Sequence, residues 1–542
     1  MIRTVIENIL LFLLPTFLYL AWVLFQRSRS EAQEDGGRDR LGATHLLDDA
    51  PLLWLFASGA LLVIVTLAFF GSSSGVTSKV PLVAPVRPAP ELVGRQAGAA
   101  LSAFGLPGRQ DPARPHRVAA MAREDANQRP PNLAGAPWLE AKATRAVLDA
   151  LAQGGYGARV VGGAVRNALL GVPVKDVDVA TTALPEEVLR LASAAGLGAV
   201  PTGVAHGTVT VIADHQPIEV TTLRRDIETF GRHARVTFTT DWAEDAARRD
   251  FTLNALYCDA DGTVHDPLGG YADLIARRVR FIGHAEDRIR EDYLRILRFF
   301  RFTAEYAVGA PDAEGLAASI ALASGLGQLS AERIRAELLR LLAAPRAVET
   351  VTVMADAGLV QNLIGAAGDV ATFARLCAIE AGLSRDSDPV LGLAALAQPR
   401  PGQPVADLAA RLRLSNAEAE RLSRLALPDP AFHPDTPERE ARAYLYRFGV
   451  DAFRDGVLLA WARSGAASDD SRWRGRFVLP NRWKVPSLPV RGQDLLKVGL
   501  SEGPAIGRVV RAFEDWWIAE DFPKDELVLA RALSDFVKAN SP

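Results

Sequence analysis

Cysteine is almost absent from this chain: Cys258 and Cys377 stand alone in 542 residues, with no CxxC spacing and no histidine cluster near either. That excludes a disulfide framework and a structural zinc site, and it fits a reducing environment. Net charge is also nearly absent. With 61 Lys and Arg against 64 Asp and Glu, the formal balance is −3, so any polyanionic partner must be held by local basic patches and not by a global field. No HD-type phosphohydrolase pattern occurs. The chain is too long for one core and should contain several domains.

Long apolar runs are confined to the first seventy residues. Val5 to Phe25 is almost wholly apolar, interrupted by Glu7 and Asn8 near its start and by Pro15, and Leu52 to Phe70 carries no charge. Each is about the length needed to cross a hydrocarbon core, roughly 20 residues. Trp22, Trp54 and Tyr19 suit interfacial positions, so residues 1–75 are expected to form a two-span transmembrane hairpin with the membrane as partner. Arg27, Arg29, Arg38 and Arg40 in the connecting loop place that loop inside and both ends outside, which conflicts with an ATP-using catalytic part in the cytoplasm. Residues 76–136, rich in Ser, Gly, Pro, Ala and Arg, read as a disordered linker. Met121 could begin a complete enzyme, as if two reading frames had been joined.

The chemistry begins at Val161. Gly162 and Gly163 follow the apolar run Ala158 to Val161, and after twelve further residues come Asp176 and Asp178, flanked by Val177 and Val179. Residues i and i+2 of a strand share a face, so the two carboxylates project together while the valines pack inward. Paired anions repel unless a cation lies between them. Beside a glycine loop able to approach phosphate oxygens, they point to a Mg²⁺-nucleotide site. An Asp-x-Asp alone is usually a solvated strand end; the glycine pair at this spacing reverses the odds. Glu219, in the strand-like run Pro217 to Leu223, sits where alternation could bring a third carboxylate beside the pair, or could merely be an exposed strand position.

Further residues suit a nucleotide. Arg224 to Thr240 reads as a mobile basic loop. Arg248 and Arg249 match triphosphate oxygens, while Asp250 and Asn254 could read ribose hydroxyls. Glu291-Asp292-Tyr293-Leu294-Arg295 is expected to begin an amphipathic helix, which would place Asp292 and Arg295 on one face. Ion pairing is their ordinary reading. The pair also matches cytosine and adenine, which each present an amine donor beside a ring-nitrogen acceptor; guanine and uracil reverse that pattern. Downstream, Ser330–Ala344, Val348–Ala357, Val405–Leu412, Asn416–Leu427 and Glu438–Phe448 read as amphipathic helices. Arg472-Trp473-Arg474-Gly475-Arg476-Phe477, followed by Arg482-Trp483-Lys484, is the densest basic-aromatic stretch. It suits RNA phosphates and stacking, or a solvated loop with both tryptophans turned inward.

GGAVRN, DVD, RRDFTLNA, DPLGG, EDYLR and ERIRAEL occur in the order and approximate spacing of the class II tRNA nucleotidyltransferases. The chain from about Pro137 onward resembles these CCA-adding enzymes, which share their fold with bacterial poly(A) polymerases. The resemblance implies an α+β protein. A polymerase-β-like head with a mixed sheet (137–270) would lead to a helical neck with a nucleotide-selecting helix (271–345), then a helical, tRNA-binding body and tail (346–542). It implies that Asp176 and Asp178 hold Mg²⁺, with Glu219 as the third catalytic carboxylate. Gly162, Gly163 and Arg166 would lie near the triphosphate, and Arg248, Asp250 and Asn254 would face phosphate and ribose. Asp292 and Arg295 would serve as the protein template for the base, Arg298 would also bind the nucleotide, and Arg474, Arg476, Arg482 and Lys484 would touch RNA. Asn167 departs from the family, where Asp is commoner, and removes a charge there. CCA addition to tRNA from CTP and ATP is the expected activity. The alternatives are poly(A) polymerase or A-only addition, and an inactive membrane-anchored RNA-binding protein.

Overall fold

The computed structural model of this protein describes residues 129–230, 233–399, 403–497, 500 and 503–540. The two segments expected to span a membrane lie outside these residues, as does nearly all of the expected linker. Among the described residues no helix is long and apolar enough to cross a membrane, which corrects the membrane-spanning localisation expected above.

The head is built from alternating apolar strands backed by amphipathic helices. Helix α1 (Lys142–Gln153) buries Ala143, Val147, Leu148 and Leu151, the stripe left by a 3.6-residue period. Strand β1 (Ala158–Val161) runs into Gly162, whose φ of 72° and ψ of −117° suit glycine alone; helix α2 (Gly163–Leu169) starts there. Then come β2 (Asp178–Thr181) and α3 (Pro185–Ala194), opened by Pro185 with Glu186 and Glu187 in its first turn. Strands β3 (Gly198–Gly203), β4 (Thr208–Ala213) and β5 (Gln216–Thr222) follow. Asp214 and His215, at φ of 47° and 61°, form the two-residue turn between β4 and β5.

Strands β6 (Arg224–Phe230) and β7 (His233–Phe238) make a separate two-stranded ribbon. The basic stretch expected to be an irregular loop is therefore largely an antiparallel hairpin. After α4 (Trp242–Ala247) come the short strands β8 (Tyr257–Cys258) and β9 (Val264–His265). The main sheet has the order β3-β4-β5-β2-β1-β8-β9, and it is mixed because β2 and β5 run parallel while every other pair is antiparallel.

Val209, Val211, Ile218 and Val220 point to one face of the sheet and are buried together with Val147 of α1 and Val188 and Leu191 of α3. On the opposite face, Ala180 of β2 and Val161 and Tyr257 of β1 and β8 pack with Ala246, Leu223 and Ile282. That cover stops short of the β2 start, and Asp178 and Glu219 are exposed there.

All-helical structure begins at α5 (Gly270–Ile275), followed by α6 (Ala285–Glu291), α7 (Leu294–Tyr306), α8 (Ala313–Ala321) and α9 (Ala331–Leu342). Phe251 binds head to neck: its ring lies 4.9 Å from Phe281 and 5.2 Å from Phe302, and Phe281 stacks at 5.5 Å on Phe299. Each such ring, buried, contributes about 1.5–3 kcal/mol. One apolar core runs from Leu139 to Leu479, and a second, from Val490 to Val537, packs against Ala443 and Tyr446. Those two residues lie in the first of two helices that follow one another over Glu438–Ser464; φ 83° and ψ 175° at Gly449 end it at Phe448, where the sequence placed its end.

Candidate active site

The strand register brings together the carboxylates that matter. β2 and β5 run parallel with Asp178 opposite Glu219, so the expected third acid is the cross-strand neighbour of the second. Asp176 lies just before β2 and is exposed. Loss of surrounding water pushes the Asp178 carboxyl above its ordinary range; the Glu219 charge adds to this, Arg249 opposes it and Asp176 adds a little. That is a concentration of negative charge which a cation would relieve. Among the described residues no three His, Cys, Asp or Glu side chains gather closely enough to hold a metal by themselves. An ion at this carboxylate pair would complete its shell with water and phosphate oxygens, the ordinary habit of Mg²⁺.

Beside the carboxylates, the Gly162 turn comes close to Arg249: a Cβ at Gly162 would sit 3.8 Å from an Arg249 Nη and 3.7 Å from the Asn254 carbonyl oxygen. Gly162 N–H donates to the Leu256 carbonyl at 3.1 Å, which ties the turn to the segment carrying Asn254. The paired arginines are held from below by Asp245, a residue the sequence reading passed over. Its Oδ1 accepts from Arg248 Nη2 at 2.7 Å, and its Oδ2 accepts from Arg249 Nη2 at 2.9 Å and from Tyr257 Oη at 2.8 Å. Burial raises the Asp245 carboxyl, yet the two guanidiniums and the Tyr257 hydroxyl outweigh it and hold it at about 2. The available signal was the spacing: Asp245 stands three and four residues before the arginines.

Arg166, Asn254, Asp250 and Arg298 form one continuous chain of hydrogen bonds. Arg166 Nη1 donates to Asn254 Oδ1 at 2.5 Å, Asn254 Nδ2 donates to Asp250 Oδ1 at 3.0 Å, and Arg298 Nε donates to Asp250 Oδ2 at 2.8 Å. At its far end Arg166 donates to Tyr306 Oη at 2.8 Å and lies 4.2 Å over that ring. Arg166, Asp250 and Asn254 are each less than a tenth exposed. Burial alone would raise the Asp250 carboxyl; Arg298, Asn254 and the Phe251 N–H hold it far below the usual carboxylate range. Gly163 lies at the same corner, where a Cβ would meet Arg166 Nη2 at 3.7 Å. Asn167, in place of the commoner Asp, accepts from Arg166 Nη2 at 2.9 Å, so its oxygen keeps a positioning role without charge.

Asp292 and Arg295 do not share one helix. Asp292 adopts φ −154° and ψ 107° between α6 and α7, and its Oδ1 accepts from Leu294 N–H at 3.1 Å. The expectation that EDYLR opens a continuous helix is thus corrected: an extended residue splits it, and its carboxylate serves the backbone of the next helix. Each residue also has its own partner. Arg333 of α9 donates to Asp292 Oδ2 at 2.6 Å, while Arg295 pairs with Glu291 and donates to the Arg288 carbonyl at 2.8 Å. Arg295 Nη2 and Arg288 also reach the Arg248 carbonyl, so this turn is braced against the arginine pair. Asp292 accepts three N–H bonds in all, leaving one of a carboxylate's roughly four lone-pair positions open.

The basic-aromatic stretch resolves into the helices Ser471–Phe477 and Leu479–Arg482. Trp473 is buried and stacks parallel to Trp461 at 6.2 Å, and Trp483 packs 5.1 Å from Phe522, so both rings face the interior. Arg476 is 5 % exposed and donates to the carbonyls of His433 and Thr436. Arg474, which donates to the Gly382 carbonyl, and Arg482, which pairs with Glu438 at 3.2 Å, lie on the surface, and Lys484 is exposed.

Residues 158–280 match the poly(A) polymerase head domain family, and residues 311–366 match a family described as the probable RNA and SrmB-binding site of polymerase A. The mitochondrial CCA tRNA nucleotidyltransferase 1 of Mus musculus is 35 % identical over 390 residues, covering 71 % of this chain and 88 % of its own. A CCA-adding enzyme of Levilactobacillus brevis is 30 % identical over 402 residues, covering 73 % of this chain and 98 % of its own. The crystal structure of the Bacillus stearothermophilus CCA-adding enzyme in complex with CTP superposes with a TM-score of 0.54 at 28 % identity, covering 73 % of this chain and 98 % of that one. By its carboxylate pair, its arginine pair and these likenesses over most of the relatives' length, the chain belongs to the CCA tRNA nucleotidyltransferase family.

Proposed function

We propose that this protein adds C, C and A in turn to the 3′ end of tRNA, taking CTP and ATP without a nucleic-acid template and releasing pyrophosphate. The observation that carries this reading is the in-register pair Asp178–Glu219, open to solvent beside the Gly162 turn and the Arg248–Arg249 bracket. Asp176 and Asp178 would hold Mg²⁺, with Glu219 adjoining; when bound, the ion supplies positive charge against the triphosphate and lowers the pKa of the RNA 3′-hydroxyl. Arg248 and Arg249, fixed by Asp245, offer planar forks to phosphate oxygens. The hydrogen-bonded chain from Arg166 to Arg298 keeps that floor rigid. Asp292 accepts from the exocyclic amine of cytosine or adenine and Arg295 donates to the adjoining ring nitrogen, exchanging its bond to Glu291 for one to the base. Guanine and uracil would meet acceptor with acceptor. Arg474, Arg482 and Lys484 are the tail cations placed to meet the RNA backbone.

The test is incorporation into purified tRNA lacking its last three nucleotides, with each nucleoside triphosphate supplied alone. Two CMP residues from CTP, and one AMP once CTP has been used, are expected; a long ATP-only tail would establish poly(A) polymerase activity instead. Asp178→Asn should abolish both incorporations while tRNA binding persists, and full activity in that variant would overturn the site.

A further inference from the structure

The open face of the sheet does not end at Glu219. Across the strands, Asp178 of β2 is opposite Glu219 of β5, Glu219 is opposite Thr210 of β4, and Thr210 is opposite Val200 of β3. Register neighbours point to the same side, so this row continues the carboxylate face toward the β3 edge. One step along, Thr208 and Thr221 are opposite each other, and their hydroxyl oxygens lie 3.1 Å apart; the hydroxyl of Thr202, in the irregular stretch of β3, lies 2.9 Å from that of Thr210. Val200 and Ile212 flank the hydroxyls and are 46 % and 42 % exposed. The helices α1 and α3 pack on the other side, against Val209, Val211 and Val220. Among the described residues this corner of the sheet therefore stays open to solvent in part, with Thr202 exposed and Thr208, Thr210 and Thr221 half-buried, and it ends at the edge strand β3.

Such a surface is unusual in its chemistry: four hydroxyls and two aliphatic side chains, continuous with the reacting carboxylates and with Glu219 as its last charge. Hydroxyl pairs can both donate and accept, which suits a ribose 2′-hydroxyl or a phosphate oxygen, and exposed Val and Ile suit the face of an unstacked base. Resting on the reading that Asp178 and Glu219 face the growing RNA end, we infer that the Thr202, Thr208, Thr210 and Thr221 platform seats the single-stranded nucleotides just upstream of that end. Adjacent strands are about 4.8 Å apart, so Thr210 stands roughly 10 Å from the Asp178 strand, within reach of the penultimate nucleotide when the terminal one occupies the carboxylates. The platform gives the site a means of reading ribose, independent of which base is being added.

The experiment compares the full chain with Thr210→Val and Thr210→Ser in CMP incorporation, using tRNA primers whose penultimate nucleotide carries either a 2′-hydroxyl or a 2′-hydrogen. Loss of one hydrogen bond predicts that Thr210→Val raises the KM for tRNA about three- to tenfold, while the KM for CTP stays unchanged and Thr210→Ser restores the RNA value. In the parent protein the deoxy primer should carry a KM penalty of the same size, and in Thr210→Val that penalty should vanish. An equal deoxy penalty in both proteins, or an unaltered RNA KM in Thr210→Val, would overturn the platform. A thermal unfolding curve for each variant shows that the fold persists. Asp178→Asn, assayed in parallel, separates the two ideas: an active Asp178→Asn sinks the site itself, whereas an inactive one beside an indifferent Thr210→Val sinks the platform alone.

Discussion

Replacing Asp245 by Asn takes one negative charge from beneath two arginines and keeps nearly everything else, including an oxygen to accept from Tyr257. The parent side chain is 1 % exposed, and its partners stand between 2.7 and 2.9 Å away. A carboxyl lowered from 3.8 to about 2 corresponds to roughly 1.8 × 1.36, or about 2.5 kcal/mol, of extra stability in the folded protein. The sign follows from the depressed pKa: the contribution is complete well above the unfolded value of 3.8 and is lost as pH falls through the folded value of about 2. Urea unfolding at pH 7 should therefore find Asp245→Asn less stable by about 2.5 kcal/mol, with about half of that difference remaining near pH 3. Removing the carboxylate altogether in Asp245→Ala should cost more, about 3–5 kcal/mol, because two partly buried guanidiniums lose their partner. The same substitutions should raise the KM for CTP, since Arg248 and Arg249 lose the group that aims them. A difference below about 0.5 kcal/mol at pH 7, or one indifferent to pH, would refute the reasoning, since exposed pairs are worth that little.

Glu380, almost fully buried, is raised to about 7, chiefly by burial, with Asp388 and Asp455 adding and the Asp388 N–H and Arg385 opposing. A raised carboxyl loses stability between its unfolded and folded pKa values, so Glu380→Gln should stabilise by up to about 3 kcal/mol at pH 8 and by far less at pH 5, read from urea midpoints. Gly325→Ala would place a Cβ 1.9 Å from the Tyr293 ring, forcing the turn that carries Asp292 to move. Its expected effect is a higher KM for both CTP and ATP at an unchanged tRNA affinity, checked by initial rates and by filter binding. Exchanging the base-reading pair as Asp292→Arg with Arg295→Asp should shift preference toward GTP or UTP in single-nucleotide incorporation, provided Arg333, which would then face another cation, is made neutral as well. Unchanged C and A selectivity would remove the template role.

Much of the head was legible because its chemistry is local. The glycine turn after an apolar strand and the alternating Asp and Val residues are short-range patterns, and alternation in Pro217 to Leu223 was enough to aim Glu219 at the correct face. The β6–β7 ribbon was not legible, because Ile227 and Phe230 break the two-residue period in β6 and the alternation of Ala234, Val236 and Phe238 in β7 is short and set among arginines; the backbone pairing announces it. The break at Asp292 was hidden for a different reason. EDYLR keeps helical periodicity, while the residue that holds Asp292 is Arg333, forty-one positions later. Arg474, Arg476, Arg482 and Lys484 looked equivalent in a basic run, yet one of them spends its donors on the carbonyls of His433 and Thr436. Nothing in the local sequence separates it from its neighbours.

The segment before Gly449 serves both apolar cores, with Ala441 and Leu445 in the larger one and Ala443 and Tyr446 against the C-terminal one, whereas Phe453 to Ala462 beyond it lie in the larger core alone. The join between those segments is one pair of torsions that no side-chain-bearing residue adopts cheaply, and it helps to set how the surface under the C-terminal module is turned. A rigid nucleic acid long enough to reach from the Asp178 cleft to that module would act as a caliper, its fit set in part by a residue with no functional group at all.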